Sequence, residues 1–128
     1  MTTQAISMPS SRRSRMRWVA PLVVALGILA ATSWPAPPRM PHNTDKVIHF
    51  TSYGLLAAAV AWADRTRSYR RLFLWIGTVS LFGAVDEWHQ QFIPGRRLDA
   101  FDWIADTAGA VAGSSLVTAL VRRRESAA

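Results

Sequence analysis

The sequence predicts an all-α protein, a four-helix transmembrane bundle with both termini in the cytoplasm, and three observations carry that prediction. Apolar segments recur four times, at residues 18–33, 47–63, 72–88 and 103–121. Each is close to the roughly 17–25 residues that cross about 30 Å of hydrocarbon as a helix. Eleven of the fifteen basic residues fall before the first segment (Arg12, Arg13, Arg15, Arg17), between the second and third (Arg65, Arg67, Arg70, Arg71) or after the fourth (Arg122, Arg123, Arg124). With an even number of spans these positions share one side, which the positive-inside bias assigns to the cytoplasm. Six of the eight acids and all three His fall at the opposite ends.

This distribution also sets partners. A net charge of +7 would suit nucleic acid, but as a topology signal it points to the lipid bilayer as partner and to no nucleic acid. The predicted location is a multi-pass position in the cytoplasmic membrane. The chain contains no Cys, so a disulfide framework and a thiolate metal site are excluded. A basic disordered segment is expected over residues 1–17, one membrane domain over 18–121 and a basic tail over 122–128. The basic run before the first apolar segment also resembles a signal peptide; the uncleaved anchor is preferred because the even-span arrangement accounts for the whole charge pattern.

In the first span, Pro21 sits where a missing donor costs little and marks a helix start. The Pro-rich residues 34–41 cannot continue a helix and form a short connector, with Trp34, Trp18 and Trp62 suited to the interface. A second helix is expected from Asn43 or Thr44, with Asp45 favourable in its first turn. Lys46, His49, Tyr53 and Leu56 follow at spacings of three, four and three and share one stripe. Small residues at Ala57, Ala58, Ala59 and Ala61 then allow close helix contact. A basic turn leads to a third helix carrying Ser80, Gly83, Glu87 and Gln90 on one stripe, with Asp86 and Gln90 an alternative pair. Ile93, Pro94, Gly95 and Arg96 read as a turn. The fourth helix repeats the pattern with Asp102, Asp106, Gly109 and Gly113.

Residues 83–113 hold five of the eight acids, one His, two Gln and two Arg between apolar segments. A carboxylate beside hydrocarbon needs a partner, water or a proton. Three helices therefore bring polar stripes to one depth, where His49, Glu87 and Asp102 are expected to meet.

The residues Asp45, Lys46, Val47, Ile48, His49, Phe50 and Tyr53, then Asp86, Glu87, Trp88, His89, Gln90, Phe92, Pro94, Gly95 and Arg96, and finally Asp99, Asp102, Ala105, Gly109 and Gly113 resemble the VanZ-like family of small bacterial membrane proteins. The ordered blocks DKxxHF, DExxQ and RxxDxxD carry the resemblance, which covers residues 45–113. Asp106 departs from it, since the family pattern usually has Asn there. The resemblance implies an integral membrane protein of several helices. The family takes its name from a member associated with low-level teicoplanin resistance, which links it to the cell envelope and to antibiotic resistance.

Three functions fit this cluster. In the first it binds or organises a lipid or cell-wall precursor, with phosphate held by Arg96 and Arg97 and Asp45, Lys46, Tyr53, Asp86, Gln90, Asp99, Asp102 and Asp106 completing a binding set. In the second it is a membrane hydrolase or transferase acting on a lipid-linked substrate. His49 is then general base, oriented by Asp45 or a carboxylate of another helix, Glu87 is the acid and Arg96 stabilises an oxyanion. In the third the cluster only locks the helices together. No cofactor is required, although His49, Glu87 and Asp102 are a possible divalent-metal set. Oligomeric state is open.

Overall fold

A computed structural model describes residues 10–35, 41 and 44–127. The expectations for residues 1–9, Arg39, His42, an Asn43 cap and most of the Pro-rich connector lie outside them. The described residues form α1 (Ser10–Arg17), α2 (Val19–Thr32), α3 (Thr44–Asp64), α4 (Tyr69–Gln90) and α5 (Ala100–Ser126), with no strand among them.

The segment expected to be disordered through Arg17 is instead helical from Ser10. Arg has high helix propensity, and no Gly or Pro interrupts the run. Trp18 separates α1 from α2 by a single turn residue, with its N–H on the Arg15 carbonyl. The basic tail is likewise helical as far as Ser126. Pro21 lies in the first turn of α2 and Asp45 in that of α3.

The connections follow local chemistry. α3 ends with the Thr66 N–H on the Ala61 carbonyl and the Arg65 N–H on that of Trp62. This paired closure needs a left-handed residue, and Arg65 takes it with φ 52°. The Ser68 side chain then accepts the Arg71 N–H to start α4. After α4, the Ile93 carbonyl accepts the Arg96 N–H across Pro94 and Gly95, with Gly95 at φ 80°. Pro at the second position and Gly at the third are what a type II turn requires.

α3 and α5 share the most extensive contact in the molecule, and α4 lies against α5 while α2 lies against α3. Glycine makes the α3–α5 approach possible. A side chain at Gly109 would run into the Phe50 carbonyl, and one at Gly113 into that of Gly54. The apolar core gathers Ile28, Tyr53, Leu56, Ala57, Val60, Val79 and Ala110 around α3. Antiparallel succession sets the basic segments at one end, where Arg122 stacks on Tyr69 and Trp18 meets Trp75. Six of the eight acids stand at the other end, while Asp64 pairs with Arg71 at the basic one.

Burial is inverted relative to a water-soluble bundle. Asp86, Glu87, Gln90, Asp106, Ser114 and Thr118 are buried, whereas Leu22, Leu55, Phe73, Leu81, Trp88 and Leu116 are exposed. Two helical stretches, Ser14–Thr32 and Ala100–Arg124, are long and apolar enough to cross a membrane. α3 and α4, at 21 and 22 residues, match them in length, but charges at their ends dilute their apolar character.

Candidate functional site

The acidic end of the bundle divides into three groups of side chains with different degrees of satisfaction. The first is built on Lys46. Its ammonium lies 2.8 Å from Asp102, 2.9 Å from Asp99 and 3.4 Å from Asp45. Asp99 is also the cap of α5, because its other carboxylate oxygen accepts the Phe101 N–H. Lys46 and this N–H hold the Asp99 carboxyl below its usual range. The Asp102 carboxylate, followed by Asp99, raises the Lys46 ammonium above its ordinary value. The group ties the start of α3 to the start of α5.

The second group centres on Asp86, which is 1% exposed. It accepts from the Thr32 hydroxyl at 2.8 Å, the Tyr53 hydroxyl at 2.9 Å and the Gln90 amide at 3.4 Å. Three helices thus close on one carboxylate. Arg96 supports the same corner, its Nε donating to the Trp34 carbonyl, Nη2 to that of Ala31 and Nη1 to the Gln90 side chain. Every guanidinium nitrogen has a protein partner. Three of its five N–H donors are thereby engaged in a brace on the end of α2, whose last carbonyls lack intrahelical donors.

The third group is His49, Glu87 and Asp106. His49 Nδ1 is 2.9 Å from Asp106 Oδ1 and 3.8 Å from Glu87 Oε1. Glu87 also accepts from the Gln90 amide at 2.9 Å and from the Asp99 N–H at 3.0 Å. Asp106, 0% exposed, has no hydrogen-bond partner for Oδ2 among the described residues. That oxygen lies against Gly83, where a Cβ would come within 2.9 Å of it. His49 and Tyr53 stack with near-parallel rings, so one stripe of α3 serves both this group and Asp86.

Of the two alternatives for the group that orients His49, the structure brings a carboxylate of another helix, Asp106 of α5, while Asp45 lies on Lys46. One sequence expectation changes. Asp102 does not join His49 and Glu87 as a metal set, because Lys46 holds it. The departure from the family pattern at Asp106 thus stands in direct contact with the central imidazole.

An open cleft of about 380 Å³ adjoins these groups. Asp45, His49 and Asp102 line one part of it and Gln90, Arg96 and Arg97 another. Arg97 is exposed and has no hydrogen-bonding or ionic partner among the described residues. Thr32, which also lines the cleft, escaped the sequence reading. Its signal was available in its depth, since a hydroxyl at the outward end of the first span meets the ends that carry the acids. Ser80 and Thr107, joined at 2.8 Å, are a second polar contact between α4 and α5 that spacing alone did not pair.

Chemically, the arrangement offers a cation-lined rim, a carboxylate–imidazole pair and a buried acid with unused capacity. With Nδ1 on Asp106, the second ring nitrogen of His49 has no protein partner among the described residues. Neither a curated protein nor a solved structure matches the chain. The model of the VanZ/LLP1 family matches residues 3–122, nearly the whole length, and the chain belongs to that family.

Proposed function

We propose that this is a multi-pass protein of the bacterial cytoplasmic membrane whose extracytoplasmic cleft binds an anionic lipid or a lipid-linked envelope precursor. The cleft carries the reading, because its polar lining ends in the free guanidinium of Arg97 while the outer faces of the same helices are apolar. A phosphate is recognised by such a group through charge and a two-point fork. Trp88 and Phe92, both exposed and packed edge to face at the end of α4, suit the acyl or prenyl part of the same molecule. The inverted burial supports four spans, since large exposed side chains on α3 and α4 require a nonaqueous neighbour as much as those on α2 and α5 do. The tied groups at Lys46 and Asp86 hold the helix ends in place and share Thr32, Asp45, Gln90 and Asp102 with the cleft lining, which leaves Arg97 as the cleft residue without a locking contact among the described residues.

Native mass spectrometry after reconstitution in phosphatidylglycerol or phosphatidylcholine vesicles tests this. The wild-type chain is expected to retain phosphatidylglycerol and Arg97→Ala to lose most of it, whereas Arg70→Ala, at the basic end, keeps it. Equal retention of both lipids, or no effect of Arg97→Ala, removes the reading.

A further inference from the structure

We propose that His49, Glu87 and Asp106 hold one divalent cation, of the zinc or manganese class, beneath the cleft. Three observations meet at this point. The first is spacing: one ligand atom from each of the three side chains lies within 4.8 Å of the others. Metal bonds of about 2.0–2.2 Å set neighbouring ligand atoms roughly 3.0–3.6 Å apart, and the 2.9 and 3.8 Å separations from His49 Nδ1 bracket that interval.

The second is charge. Asp86, Glu87 and Asp106 are 1%, 3% and 0% exposed. Among the described residues no Lys or Arg makes an ion pair with any of them. Lys46 is spent on Asp45, Asp99 and Asp102, and Arg96 reaches Gln90 and two backbone carbonyls instead. Buried carboxylates without counter-charge are costly, and a divalent ion is the compact way to offset two of them.

The third is the unmatched Oδ2 of Asp106, a fully enclosed side chain whose other oxygen already faces His49. A carboxylate whose only hydrogen-bond partner among the described residues is an imidazole has ligand capacity unused by them. Asp86, one helix away, shows the contrast, with three donors on its two oxygens. The other acidic group, Asp45, Asp99 and Asp102, already contains a cation in the form of the Lys46 ammonium, so it makes no comparable demand.

An imidazole nitrogen with two carboxylates suits zinc or manganese better than calcium, which favours more oxygen ligands. Coordination through Nδ1 places the ring proton on Nε2. The open cleft beside His49 then supplies the remaining ligands, water or an oxygen of a bound molecule. This inference does not depend on the nature of the lipid or precursor.

The test uses the full chain purified in detergent with any affinity tag removed. It is exposed to zinc or manganese chloride, desalted and assayed for metal content and thermal midpoint. The wild type is expected to retain about one equivalent of one of the two ions and to melt higher with it than with chelator, because only the folded state presents the site. Asp106→Asn, which keeps the side-chain volume, and Glu87→Gln are expected to lose the equivalent and the shift, while Asp45→Asn keeps both. Absence of retention and of a shift with either ion in the wild type overturns the proposal and leaves the charge to an imidazolium at His49. Undiminished binding in folded Asp106→Asn overturns it equally. If the variants fail to fold, the wild-type stoichiometry and shift decide. Retained lipid is scored in the same samples: metal without lipid supports the centre and removes the cleft reading, and lipid without metal does the reverse.

Discussion

Asp86 and Asp106 are both enclosed, and their surroundings assign them different work. Asp86 receives Thr32, Tyr53 and Gln90 from three helices, whereas among the described residues Asp106 has only His49 on one oxygen and no hydrogen-bond partner on the other. Replacing Asp86 by Ala strands the buried Tyr53 hydroxyl, at about 1–3 kcal/mol, whereas Thr32 keeps the Ile28 carbonyl as acceptor. Asp86→Ala is therefore expected to lower the thermal midpoint in detergent sharply, and Asp106→Asn to change it little in chelator. A larger loss in Asp106→Asn would reverse the assignment. Lys46 permits a pH test. Asp99 is held below its ordinary value by Lys46, so this tie contributes fully above the unfolded value and is lost as pH falls through the folded one. The gap in thermal midpoint between wild type and Lys46→Met is expected to be steady from about pH 5 to 8 and to narrow toward about pH 3. A gap that widens on acidification contradicts the ion-pair account.

α3 organises the bundle because one of its faces is small enough to meet α5 backbone to backbone and another carries the polar stripe. Gly109 and Gly113 have no room for a side chain, while Gly77 on α4 has nothing within 4 Å of its Cβ position. Gly113→Leu is expected to force α3 and α5 apart at a cost of at least the roughly 1–3 kcal/mol of overpacking, reducing folded yield. Gly77→Ala is expected to be neutral or to stabilise by about 0.5–1 kcal/mol through helix propensity. Size-exclusion profiles and thermal midpoints measure both. Similar effects at the two positions would mean that the close α3–α5 crossing is not what holds the helices.

The molecule as a whole is polarised, with most arginines at one end, most carboxylates at the other and large apolar side chains facing outward between them. In the four-span arrangement proposed above, reporters fused at either terminus are expected to show cytoplasmic activity, and a reporter inserted after Gly95 periplasmic activity. Periplasmic signal at the C-terminus would require an odd number of spans.

Helical class, the order of apolar segments and the end of the bundle at which the acids collect were all legible along the chain. They depend on local quantities: apolar run length, a spacing of three or four residues, Pro94 and Gly95 at a turn, and the placement of Arg. Even Lys46, His49 and Tyr53 could be assigned to one stripe, because helical periodicity needs no knowledge of neighbours. The identity of each partner was not legible, since it depends on how far the helices rotate and slide against one another. The glycine contact of Gly54 with Gly109 and Gly113 sets that crossing, which gives His49 to Asp106 and leaves Asp102 to Lys46. The brace made by Arg96 was illegible for the same reason: its guanidinium reaches the carbonyls of Ala31 and Trp34, more than sixty residues earlier in the chain, a proximity that exists only once α2 has packed beside α3.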